Sequence, residues 1–120
     1  MEKYIALIED DKDVAEFLSQ KMEGAGLAVR LCYNGEDGLQ TALSESCYLV
    51  TMDLIIPGLM GVDLIKKVRE KRPDLPIVVI SGAGPTEISD AINAGANLII
   101  EKPVDDKELL KHLFDFMESD

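Results

Sequence analysis

The sequence predicts an α/β fold, a doubly wound five-stranded parallel sheet with five helices, forming one domain over residues 1–120. Two patterns carry that reading. Five short apolar runs, at residues 4–8, 28–32, 48–52, 77–80 and 98–100, have the length and composition of buried strands. A stretch of helical spacing follows each run, and strict β-α alternation marks parallel strands covered on both faces. The length agrees, because a chain of 120 residues can bury a two-sided core without disulfides or a structural metal.

The elements justify themselves in order. The first run, Tyr4 to Ile8, is apolar throughout, as a strand buried on both faces must be. Asp11 or Asp13 can then cap a helix, with Asp13 and Glu16 in capping-box spacing. Val14, Phe17, Leu18 and Met22 fall on one face of it before Gly24 and Gly26 end the turn. The second strand leads to Asn34, a cap for the second helix. The third helix is stopped by Pro73, and Gly95 after Ile92 has the place of a left-handed residue ending the fourth. Asp105 with Glu108 opens the fifth, where Leu109, Leu110, Leu113, Phe114 and Met117 form an apolar stripe for core packing.

Composition excludes several function classes. An apolar share of 47% with 29% charged residues belongs to a globular, water-soluble chain. The net charge of −11 repels a polyphosphate backbone unless a separate basic patch exists. Lys66, Lys67, Arg69, Lys71 and Arg72, interrupted by Val68 and Glu70, read as the solvated face of one helix, so no direct nucleic-acid contact is expected. No apolar run approaches the roughly 18 residues of a membrane span, and the first residues lack the basic and apolar regions of a signal peptide. The expected location is the cytoplasm. Cys32 and Cys47 lie far apart in no ligand spacing and read as buried hydrophobes, and the lone His112 as a surface residue.

Open parallel sheets bind ligands beyond the carboxyl ends of their strands. Those ends are polar here. The first strand runs into Glu9, Asp10 and Asp11, the third ends at Asp53, the fourth at Ser81, and the fifth at Lys102 before Pro103. Taken singly, each has a bland explanation: a helix cap, a turn beginning at Ser81-Gly82, a snorkelling lysine. Together they do not, because neighbouring strands lie about 4.8 Å apart and carboxylates so close repel unless a cation or protons intervene. Carboxylates without His or Cys favour a hard cation, Mg²⁺ or Mn²⁺ rather than zinc. Such a site suits phosphoryl transfer to a carboxylate, giving an aspartyl phosphate, with Lys102 and Ser81 on other phosphoryl oxygens. That geometry demands the strand order 2-1-3-4-5.

Four segments then resemble one family, in order. Ile5-Ala6-Leu7-Ile8-Glu9-Asp10-Asp11, Met52-Asp53-Leu54-Ile55-Ile56-Pro57-Gly58-Leu59-Met60-Gly61, Val79-Ile80-Ser81-Gly82-Ala83 and Glu101-Lys102-Pro103 are similar to the signatures of response-regulator receiver domains of two-component, chemotaxis-receiver-like signalling. The resemblance runs the length of the chain and implies a flavodoxin-like topology that agrees with the demanded strand order. It implies Asp53 as phospho-acceptor, Asp10 as direct metal ligand, Glu9 as ligand through water, and the backbone carbonyl of Ile55 completing the site. Ser81 is implied as the switch hydroxyl, Lys102 as the phosphate-pairing lysine, and the Lys102-Pro103 bond as cis. The implied partners are a sensor histidine kinase or phosphotransfer protein, and a downstream protein docking on helix 4, strand 5 and helix 5. Such a domain catalyses its own phosphorylation without being a turnover enzyme.

Two departures stand out. The position three before Lys102, usually aromatic in that family, is Ile99, and the positions two beyond Asp53 and Ser81 are Ile55 and Ala83. Neither side chain can orient water by hydrogen bonding. Rival readings lack their marks. A docking module that is never phosphorylated would be expected to lose the acceptor, an acid or the lysine. An aspartyl phosphatase would want an acid two after Asp53. A flavin site would want a Ser/Thr/Gly phosphate loop where Glu9-Asp10-Asp11 stands.

Overall fold

The computed structural model describes residues 2–118; Met1, Ser119 and Asp120, inside the expected domain, lie outside the described residues. Five strands and five helices alternate: β1 (Tyr4–Ile8), α1 (Lys12–Gly24), β2 (Val29–Cys32), α2 (Gly35–Leu43), β3 (Cys47–Met52), α3 (Gly61–Lys71), β4 (Ile77–Ser81), α4 (Pro85–Ala94), β5 (Leu98–Glu101) and α5 (Asp106–Glu118). All pairings are parallel and the order is β2-β1-β3-β4-β5. The predicted architecture and strand order are those observed.

Alternation along each strand divides the core in two. Ala6, Ile8, Val50, Met52, Ile77 and Val79 pack beneath α2, α3 and α4, against Ala42, Leu64, Ile65, Val68 and Ala91. Ile5, Leu7, Leu49, Val78 and Ile80 face α1 and α5, against Leu18, Met22, Leu109 and Leu113. The α5 stripe is core, as expected. Both cysteines are buried and unbonded to each other. His112 is half-buried beside Glu108, one helical turn away.

Three local expectations are corrected. The α1 cap is Asp11, whose Oδ1 accepts from the backbone nitrogens of Asp13 and Val14 at 3.0 and 3.2 Å; the helix starts earlier than the Asp13 capping box required. Phe17 is half exposed and stacks under the Lys21 ammonium, while Ala15 and Ser19 line the buried face instead. Arg69 and Arg72 are not on a solvated face. Arg69 donates to the carbonyls of Gly95, Arg72 and Leu75 and to Asn97 Oδ1, and Arg72 to the carbonyls of Ala42, Ser44 and Cys47. They lie where α3 meets the turns, and orphan carbonyls there draw guanidinium donors out of water. Asn34 caps α2 through Asp37 N, and Gly95 at φ +123° ends α4, both as read from the sequence.

Candidate functional site

The site lies along the carboxyl edge of the sheet. The β1 ladder continues one residue past the strand, with Glu9 N donating to Cys32 O, and Asp53 N donates to Ile8 O just beyond β3. This places the acids of β1 beside that of β3. Carboxylate oxygens of Glu9, Asp10 and Asp53 all lie within 4.8 Å of one another, a group able to hold a metal ion. Glu9 is buried and Asp10 exposed, with Asp53 between the two in exposure.

The β4-β5 ladder brings the cation. Lys102 N donates to Ser81 O, and its ammonium reaches Asp53 Oδ2 at 2.6 Å and Glu9 Oε1 at 3.4 Å. The snorkelling alternative for Lys102 is thereby excluded. The Lys102-Pro103 bond is cis. Asp53 is further fixed by the amide of Ile55, which donates to Oδ1 at 3.2 Å, while the Ile55 side chain projects into solvent.

Electrostatics follow from this crowding. Burial pushes the Glu9 carboxyl above its ordinary range; Lys102 opposes the rise and the nearby Asp53 charge adds to it. For Lys102, burial favours the neutral amine, but the hydrogen bond and charge of Asp53, joined by Glu9, outweigh it and hold the ammonium more firmly charged than usual. Three carboxylates against one ammonium leave net negative charge in a partly buried site. That donor set, all oxygen and acidic, fits a hard divalent cation.

Ser81 is buried at the end of β4, and its Oγ accepts from Ala83 N at 2.9 Å. It therefore starts a turn, as the bland reading had it, and also stands at the same edge as Lys102. Gly82 is exposed, Ala83 and Gly84 partly so. Ile99 is half-buried and packs against the core under α4. The structure thus brings Glu9, Asp10, Asp53 and Lys102 into one constellation, with Ser81 beside it. Sequence reasoning missed the support of the loop after Asp53 by α2. Gly35 N donates to Pro57 O at 3.0 Å, and the Glu36 carboxylate lies against Gly58. An Asn-Gly pair at a helix start was its visible signal.

Comparisons with known proteins agree with this geometry. The model of the response regulator receiver domain family matches residues 5–114. The response regulator ArlR of Staphylococcus aureus is 33% identical over 110 residues, which are 91% of this chain and 50% of the relative. The chain spans about half the length of the curated relatives it matches. Among solved structures, a CheY-like response regulator receiver domain protein from Methanospirillum hungatei JF-1 superposes with a TM-score of 0.89 at 27% identity, covering 96% of this chain and 93% of that one. The receiver domain of NtrX from Brucella abortus gives 0.88 at 26%, covering 97% and 99%. No helix among the described residues is long and apolar enough to cross a membrane. The acidic edge, the lysine held against its central aspartate and the strand order converge with these matches: the chain belongs to the response regulator receiver domain family of two-component systems.

Proposed function

We propose that this domain accepts a phosphoryl group on Asp53 from the phosphohistidine of a sensor kinase or phosphotransfer protein, and that this switches its binding to a downstream protein. The observation that supports it best is the Lys102 ammonium 2.6 Å from Asp53 Oδ2, with Glu9 and Asp10 beside them. An Asp53 oxygen attacks phosphorus in line; the O–P bond forms as the P–N bond to the partner's histidine breaks, and its electron pair stays on the imidazole nitrogen. Glu9, Asp10, Asp53 and the Ile55 carbonyl would hold Mg²⁺ or Mn²⁺, which when bound would neutralise charge on the phosphoryl oxygens. Lys102 exchanges its Asp53 contact for a phosphoryl oxygen, and the Ser81 hydroxyl donates to another. The domain promotes its own modification and is consumed by it, so it is not a turnover enzyme.

Drawing Ser81 inward displaces Gly82, Ala83 and Gly84 and, with them, the start of α4, altering the face made by α4, β5 and α5. Ile99 is stiff and without a hydroxyl, so it fills space and does not sense phosphate. The working compartment is the cytoplasm, where such kinases present their phosphohistidine. The test is intact-mass analysis after incubation with a small phosphodonor and Mg²⁺. One phosphoryl group is expected, removable by hydroxylamine, and none on Asp53→Asn. An Asp53→Asn protein that still gains the group would overturn the assignment.

A further inference from the structure

Between Asp53 and α3 runs a loop of residues 54–60 that carries the Ile55 carbonyl. Leu54 and Ile56 anchor its first part in the core, whereas Ile55 and Met60 are 64% and 55% exposed. Gly61 N donates to Leu54 O at 3.1 Å and closes the loop at its base. Its middle, residues 57–59, leans on the start of α2. There the buried Gly35 donates its N–H to Pro57 O at 3.0 Å. A Cβ on residue 35 would run into the Leu59 carbonyl oxygen and lie 2.7 Å from Leu59 Cβ and 2.8 Å from Leu59 N. Two of those three atoms are backbone, so no rotamer change relieves the contact; the loop itself must move. Gly58, at φ +84°, admits the Glu36 carboxylate where a side chain would stand.

We infer that Gly35 is a positioning residue for the metal-binding loop: its bare Cα and its N–H let the first turn of α2 hold residues 57–59 so that the loop beginning at Asp53 and Ile55 keeps its place against Glu9 and Asp10. The inference rests on the metal reading proposed above. It makes α2, which contributes no ligand, a determinant of metal affinity.

Gly38, one turn along α2, supplies the control. It too is buried, but the atoms a Cβ there would meet first are all in the Ile8 side chain, 2.7 Å away at Cδ1 and 3.0 Å at Cγ1 and Cγ2. Gly38→Ala overpacks the core first against a side chain, whereas Gly35→Ala presses on the loop backbone. The experiment is titration calorimetry with Mg²⁺ on the whole chain, at a temperature where thermal unfolding shows each metal-free variant folded. Gly35→Ala should bind Mg²⁺ about tenfold or more weakly than wild type, and Gly38→Ala within about twofold, as expected when a ligand's support is lost rather than the ligand. Equal affinity in Gly35→Ala, or an equal loss in both variants, overturns the inference. Wild type that binds no Mg²⁺ overturns the metal reading and this inference with it. Amide spectra of wild type give an answer even if Gly35→Ala does not fold: adding Mg²⁺ should shift the Gly35 amide while leaving Gly24, on open surface, unmoved. An unmoved Gly35 amide overturns the inference as well.

Discussion

Glu9 shows how a single residue stores the tension of the site. Its carboxyl is buried beside Asp53, and its pKa rises above the ordinary 4.5. The sign of the consequence follows from linkage. A raised folded-state pKa gives stability that is fully present below the unfolded value and is lost as pH climbs through the folded value. Lys102, raised from 10.5, keeps its contribution throughout that range. Metal-free Glu9→Gln should therefore be more stable than wild type at about pH 7.5, with the gap closing by about pH 4. Urea midpoints at both pH values check this, and a gap independent of pH would show that the charge is not the cause. Thr51 makes a different point, since its Oγ1 is buried within β3 with no hydrogen-bond partner among the described residues. Thr51→Val keeps the shape and removes the hydroxyl, so it should stabilise by about 1 kcal/mol in denaturant unfolding. A destabilised Thr51→Val would mean that the hydroxyl has a partner in solution.

At the scale of elements, the two ends of α4 are held very differently. Its N-terminus follows Gly82, Ala83 and Gly84 and has no side-chain cap. Its C-terminus is tied: Arg69 of α3 donates twice to Gly95 O, at 3.0 and 2.7 Å, and once to Asn97 Oδ1, which also accepts from Ile77 N. Arg69→Met keeps the aliphatic stem and loses every one of these bonds. It should cost about 2 kcal/mol in urea unfolding, because charged donors to carbonyls are worth more than neutral ones. Hydrogen exchange should quicken at Gly95 and Ala96 before it does in β4. Unchanged stability in Arg69→Met would reduce the cluster to an incidental surface contact.

For the whole molecule, the formal charge of −11 and the acidic edge act together. A divalent cation that binds only the folded state adds stability by mass action, about 2.7 kcal/mol at a concentration about 100 times its dissociation constant. Thermal unfolding should thus move upward with added Mg²⁺ in wild type and stay nearly fixed in Asp10→Asn. Equal shifts in both proteins would locate the effect in general screening of the acidic surface instead of the site. Any partner docking near this edge meets negative potential, which favours basic surfaces and disfavours nucleic acid.

Short continuous apolar runs, caps and glycine stops determined the layers, the five strands and the ends of most helices, because those signals are local and repeat along the chain. The polar residues at strand ends were legible for the same reason: Glu9, Asp10, Asp53, Ser81 and Lys102 each stand within two residues of the end of an apolar run. What only the tertiary structure decided depends on contacts between distant segments. Phe17 has helical spacing suited to burial, yet it is half exposed, with the Lys21 ammonium over its ring. Arg69 and Arg72 belong to a run that looks solvated, yet most of the carbonyls they bond, those of Gly95, Ala42, Ser44 and Cys47, lie 25 to 30 residues away. Gly35 reads locally as an ordinary turn glycine, whereas its tight fit against Leu59 exists only once α2 and the loop after β3 share one edge of the sheet. Local propensity fixes which residues stand at an edge, and packing across the chain fixes what each of them touches.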